Sequence, residues 1–192
     1  MDNIYIKELF HKLEHTEIWN GSREKYPDYN SGIRELICLF RNCKKNRAQV
    51  FFIGNGGSSA IASHMTVDFM KNGGMKTYNL QNPSVITCMG NDYGYESVFS
   101  KPMEFLAESG DLLVAVSSSG NSPNIIQAIK EAEKKKAHVV TFTGFRRDNQ
   151  IRRMGDINIY VPCEKYGIVE SIHNLILQQI VDEIMEQDGV EF

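Results

Sequence analysis

Residues 49–60 read Gln-Val-Phe-Phe-Ile-Gly-Asn-Gly-Gly-Ser-Ser-Ala. The run QVFFI (49–53) is short, apolar and rich in β-branched and aromatic side chains, which predicts a strand buried on both faces. It breaks into Gly54-Asn55-Gly56-Gly57-Ser58-Ser59, and helical spacing follows. Glycines let the backbone turn tightly and bring N–H groups close to an anion, and a helix start adds the positive end of its dipole.

The pattern repeats downstream. Apolar runs at KTYNL (76–80), DLLVAV (111–116), AHVVTFT (137–143) and INIYVP (157–162) each meet a turn or a helical segment. Helices are expected at Ser59–Lys71, Pro83–Met89, Tyr95–Ala107, Pro123–Lys135 and Tyr166–Glu186. Such alternation predicts an α/β fold: a doubly wound, five-stranded parallel sheet with helices on both faces. Ligands of these sheets sit beyond the carboxyl ends of the strands.

Upstream, Tyr5, Leu9, Phe10 and Leu13 fall at helical spacing, as do Ile33, Leu36, Ile37 and Phe40, with the polar stretch NGSREKYPDYN (20–30) between them. Two short amphipathic helices cannot bury both apolar faces on each other, so this pair must dock on the main body or on another subunit. The expected organisation is one domain, 1–192. Residues 1–48 form a helical oligomerisation segment and residues 49–192 the binding core.

Composition narrows the function. Twenty-one Lys and Arg against 24 Asp and Glu give a net charge of −3, a poor match to nucleic acid or an anionic membrane surface. No apolar stretch is long enough to span a bilayer. The start, MDNIYIKELFHKLEH, lacks the hydrophobic centre of a signal peptide. Cys38, Cys43, Cys88 and Cys163 are scattered without metal-finger spacing, as in a protein of the reducing cytoplasm.

A second loop sharpens the first. DLLVAV ends in Ser117-Ser118-Ser119-Gly120-Asn121-Ser122-Pro123, again opening a helix, with Pro123 suited to its first turn. An unliganded helix needs one capping hydroxyl, not four. Hydroxyls, amides and the dipole together can hold a phosphate dianion. A nucleotide cofactor is not expected. Ser59 stands where a dinucleotide fingerprint wants its third glycine, no acid closes the second strand, and no Lys follows the glycines.

The order GNGGSS, a His in the next helix, Asn91-Asp92, SSSGNSPN, TFTG and a terminal Y-x-x-x-E helix resembles the sugar isomerase (SIS) domain superfamily, and within it the phosphoheptose isomerases. The resemblance implies interconversion of sedoheptulose 7-phosphate and a D-glycero-D-manno-heptose 7-phosphate through an enediol, feeding heptose into glycans. It implies a phosphorylated sugar as ligand and a cytoplasmic homotetramer with sites between subunits. It assigns substrate contacts to Asn55, Gly56, Gly57, Ser58, Asn91, Asp92, Ser117, Ser118, Ser119, Asn121 and Ser122. A divalent metal, zinc, falls to His64, Asp68, Glu170 and Gln178.

Three of those four metal positions depart from the family, which has Glu at 68, Gln at 170 and His at 178. The acid/base work then falls to Asp68, Glu170 and His173. His64 with Asp68 at i,i+4, and Glu170 with His173 at i,i+3, are expected to converge from two helices. Taken residue by residue, each has a plainer reading: Asp68 in a surface pair with Lys71, Glu170 as a first-turn helix acid, His173 as a packed core residue. The superfamily also includes the DnaA initiator-associating protein, a partner-binding tetramer, so a binding protein without chemistry is the alternative.

Overall fold

The computed structural model describes residues 3–189; the outer bounds of the expected domain, 1 and 192, lie outside them. In chain order the elements are α1 (Ile4–Glu14), β1 (Glu17–Asn20), α2 (Tyr29–Lys45), β2 (Gln49–Gly54), α3 (Gly57–Lys71), β3 (Lys76–Asn79), α4 (Pro83–Tyr93), α5 (Ser100–Leu106), β4 (Leu112–Ser117), α6 (Pro123–Lys134), β5 (His138–Thr143), β6 (Ile157–Tyr160) and α7 (Tyr166–Gln187). Short 3-10 turns stand at Tyr95–Ser97 and Ile151–Arg153.

Sheet order is β1-β6-β5-β4-β2-β3. The five strands β2 to β6 run parallel, as the sequence predicts, and the fold is doubly wound α/β. A sixth strand was not foreseen: β1 pairs antiparallel with β6, Glu17 opposite Tyr160 and Asn20 opposite Ile157. Residues 17–20 therefore belong to the sheet, and the segment 1–48 is not purely helical. The expected helix at Tyr95–Ala107 divides into the 3-10 turn and α5. The expected Pro83–Met89 helix runs on to Tyr93.

Each central strand feeds two cores, because successive side chains point to opposite faces. Val50, Phe52, Leu112, Val114, Val140 and Phe142 face α2, α3 and α7. Phe51, Ile53, Leu113, Ala115 and Val139 face α5 and α6. Helix starts are fixed by side-chain caps. Asn3 accepts from the N–H groups of Tyr5 and Ile6, Asp28 from Ser31, and Asn82 from Ser84 just before Pro83. Ser122 caps α6 but makes no side-chain capping bond, which leaves its hydroxyl uncommitted.

The winding fixes where a ligand can sit. From β2 the chain passes to β3 on one side, and then returns to place β4 on the other side of β2. The loops after β2 and β4 thus flank the point where the strand order reverses.

Candidate active site

At that point a small cavity of about 100 Å³ is lined by Asn55, Ser58, Ser117, Ser118, Ser119, Ser122, Tyr166 and Glu170. The loop after β2 delivers Asn55, the first turn of α3 delivers Ser58, β4 and the loop after it deliver the other four serines, and α7 contributes Tyr166 and Glu170. Five serines and the N-terminus of α6 border one space, an arrangement suited to an anion. The Ser118 Oγ is buried and has no hydrogen-bond partner among the described residues. A buried hydroxyl left unpaired costs about 1–3 kcal/mol, so its place in the cavity wall makes Ser118 a candidate ligand contact.

Glu170 is the one carboxylate in the lining. Burial raises its pKa above the ordinary 4.5 of a glutamate. A Cβ built on Gly57 would fall 2.3 Å from the Glu170 Oε2, so only glycine lets this carboxylate reach the turn. Gly56, with φ at +56°, makes the turn that precedes α3. The two glycines shape the site and offer no side chain to it.

Two residues to which the sequence assigns no role, Asn124 and Tyr95, hold Asn55 in place. Asn55 and Asn124 exchange a reciprocal pair of amide hydrogen bonds, each 2.9 Å, and the Tyr95 hydroxyl donates to Asn55 Oδ1 at 3.2 Å. Asn124 is the second residue of α6, so it ties the β2 loop to the serine loop. Tyr166, the tyrosine of the Y-x-x-x-E motif, stacks edge-on against Phe145 at 4.6 Å between ring centroids and closes one wall. Asn124 and Tyr166 fall inside quoted motifs, but the roles of all three residues are set by neighbours in space.

Other expected contacts lie elsewhere. Asn91 and Asp92 end α4, exposed and bonded to each other at 2.8 Å, and do not line the cavity. Asn121 spends its Oδ1 on the Gln150 N–H at 3.0 Å. His173 is corrected most clearly: it is fully buried, its Nε2 lies 3.1 Å from the Thr143 carbonyl oxygen, and it packs edge-on against Phe142. Desolvation pushes its pKa down to about 4. It shares α7 with Glu170 but points into the core, because three residues around a helix still separate two side chains by about 60°.

The expected metal ligands divide into two groups. His64 Nε2 lies 3.1 Å from Asp68 Oδ2, and the same carboxylate oxygen accepts from the Gln178 amide. One imidazole nitrogen and two oxygen-bearing side chains thus converge from α3 and α7, a donor set that fits a divalent ion of mixed N/O preference. Glu170 stands apart: eight residues before Gln178 on the same helix, about 12 Å along the axis, it faces the serine cavity. Elsewhere, His11, Glu14 and His15 bring ligand atoms within 4.8 Å of one another on the exposed end of α1. Among the described residues no helix is long and apolar enough to cross a membrane.

Known proteins are similar to this chain in sequence and fold. The SIS domain pattern matches residues 22–144. The chain is 34% identical over 155 residues to the phosphoheptose isomerase of Buchnera aphidicola subsp. Acyrthosiphon pisum, covering 78% of this chain and 80% of that one. It is 33% identical over 183 residues to that of Nitratidesulfovibrio vulgaris, with 90% and 88% covered. The solved phosphoheptose isomerase of Neisseria gonorrhoeae superposes with a TM-score of 0.81 at 29% identity, covering 94% of each chain. With its serine cup, its glycine turn and its sheet order in place, the chain belongs to the SIS domain family and, within it, to the phosphoheptose isomerases.

Proposed function

We propose that this protein interconverts sedoheptulose 7-phosphate and D-glycero-D-manno-heptose 7-phosphate in the cytoplasm, supplying heptose for glycan biosynthesis. The observation that carries the reading is the meeting of Glu170 with the unpaired Ser118 hydroxyl in one serine-lined cavity. Ser117, Ser118, Ser119 and Ser122 take the phosphate, aided by the α6 dipole. Asn55, braced by Asn124, orients the sugar hydroxyls.

Ketose–aldose exchange removes a proton from the carbon beside the carbonyl, forms a cis-enediol, and returns a proton to the neighbouring carbon. Glu170 is placed to carry that proton out and back. A pKa lifted by burial brings a carboxylate nearer to the operating pH, which improves it as both base and acid. Asp68 does not share this cavity; its carboxylate is engaged by His64 and Gln178. His64, Asp68 and Gln178 would hold a divalent ion, which would supply Lewis-acid stabilisation to a substrate oxygen within its reach, outside the cavity that Glu170 lines.

The cavity within one chain is about 100 Å³, below the usual range of roughly 300–1,000 Å³ for ligand pockets. It encloses a phosphate and leaves the sugar to be covered by something else. An exposed apolar row on α1, Ile4, Tyr5, Ile6 and Phe10, offers a face for subunit packing. Both features support a homotetramer with sites completed across subunit boundaries.

The alternative, a phosphosugar-binding protein without chemistry, is favoured by the direct bonding of His64 and Gln178 to Asp68, which satisfies these groups without a metal. Calorimetry and a turnover assay with sedoheptulose 7-phosphate, with added divalent metal and with chelator, separate the two. Binding with turnover in either condition supports the isomerase. Binding with no turnover in both selects the sensor, and no binding at all refutes both.

A further inference from the structure

At the opposite end of the sheet, where β1 pairs with the start of β6, lies a cavity of about 300 Å³ that shares no residue with the serine cup. Its walls include Trp19, Asn20, Arg23, Arg152, Arg153 and Asn158. Three arginines and no acid line it, in a chain whose net charge is −3. Arg152 is clamped: its guanidinium carbon lies 4.9 Å from the Trp19 ring centroid and 4.5 Å from that of Tyr160, and Nη2 meets Glu17 at 2.9 Å.

Glu17 serves two guanidinium groups, those of Arg152 and Arg147, and so neutralises only one of them. Arg23 and Arg153 make no ion pair among the described residues. With Glu24 bonded to the Asn20 side chain as a second acid beside the lining, Arg23, Arg147, Arg152 and Arg153 still outnumber the two carboxylates. Two buried polar atoms of the lining residues also lack partners among the described residues, the donor Nε of Arg152 and the acceptor Oδ1 of Asn158. The Asn158 amide nitrogen is already committed to Thr141 and Thr143, which fixes its oxygen as the unpaired end.

We propose that this cavity is a second ligand site, separate from the isomerase chemistry, and that it takes a mononucleotide. Guanidinium groups recognise phosphate in a bidentate manner, and Arg23 and Arg153 are the free pair at the mouth. The Trp19 indole offers a flat surface for a base, the Arg152 guanidinium being already held between the Trp19 and Tyr160 rings, and Asn158 Oδ1 is the acceptor left for the base edge, since both ends of the Asn20 amide are bonded to Glu24. A volume near 300 Å³ stands at the small end of ligand pockets and suits one nucleotide, not two. A phosphosugar would leave the aromatic wall without a matching flat face.

The test is built into the molecule, because Trp19 is the single tryptophan of the chain. Its emission is followed while AMP, GMP, CMP and UMP are titrated into the assembled protein, with calorimetry in parallel and inorganic phosphate and sedoheptulose 7-phosphate as controls. Saturable quenching by at least one nucleotide is expected, matched by heat. The double variant Arg23→Ala, Arg153→Ala should weaken that binding at least tenfold and leave sugar-phosphate binding at the serine cup unchanged. The proposal is overturned if no nucleotide alters emission or gives heat, or if binding survives the double variant. It is equally overturned if inorganic phosphate alone reproduces the response, or if emission follows only protein concentration, which would mean that a second copy covers the cavity.

Discussion

In the proposed mechanism Ser118 holds and Glu170 reacts, and each makes a separate prediction. The Ser118 hydroxyl is the unpaired group in the wall. Hydrogen bonds to a charged partner contribute about 1.5–3 kcal/mol, so Ser118→Ala should raise KM by roughly 10- to 100-fold with a smaller change in kcat, read by steady-state kinetics. Glu170 has a folded pKa above its unfolded one, so its ionised form is less at home in the folded protein. The carboxylate therefore opposes folding above that raised pKa, and the effect vanishes below the ordinary value. Glu170→Gln should raise Tm at pH 7 to 8 and leave it unchanged near pH 4, read by thermal denaturation. The serine cup was legible in the sequence because four hydroxyls in six residues exceed what helix capping needs. The roles of Asn124, Tyr95 and Tyr166 were not, although Asn124 and Tyr166 stand in the SSSGNSPN and Y-x-x-x-E motifs, since each gains its role from a neighbour distant in sequence.

Among the elements, the long helices and the central strands follow from periodicity, and the exceptions have local causes. β1 is four residues, EIWN, set among charged and turn-forming neighbours; it is a strand because β6 presents an open edge, not because of its own pattern. α4 continues through Gly90 and Asn91-Asp92, residues that alone suggest a stop, because its backbone ladder holds until Gly94. α7 carries His173 into the core, where a polar pattern suggested a site. Its folded pKa of about 4 lies below the ordinary 6.5 of a histidine, so the unfolded chain binds the proton first as pH falls. The stability it lends is full above pH 6.5 and is lost between 6.5 and about 4, a change on the order of 3 kcal/mol. Urea denaturation should show that acid-side loss in the wild type, and it should shrink in His173→Gln, which keeps a donor for the Thr143 carbonyl without titrating in that range.

For the whole molecule, the question is what covers α1 and completes the cup. Leu9 and Leu13 pack on the body of the chain, while Ile4, Tyr5, Ile6 and Phe10 face outward. The proposed homotetramer would cover this second apolar face with another copy of the chain. Light scattering should give a tetramer, and Phe10→Glu should shift it to smaller species with loss of turnover but a folded far-UV spectrum. A wild-type monomer that turns over substrate would contradict sites shared between subunits. Sequence periodicity reveals this amphipathic pair, but not which of its faces meets a neighbour, because both are apolar.

The most direct test of the account compares wild type with Glu170→Gln on sedoheptulose 7-phosphate, following aldose formation by NMR and binding by calorimetry in the same preparation. General acid–base groups contribute about 10²- to 10⁴-fold. The account predicts a rate loss of that size in the variant with the heat of binding preserved. A variant that turns over at the wild-type rate would show that the proton is carried by another group and that the cavity has been misassigned.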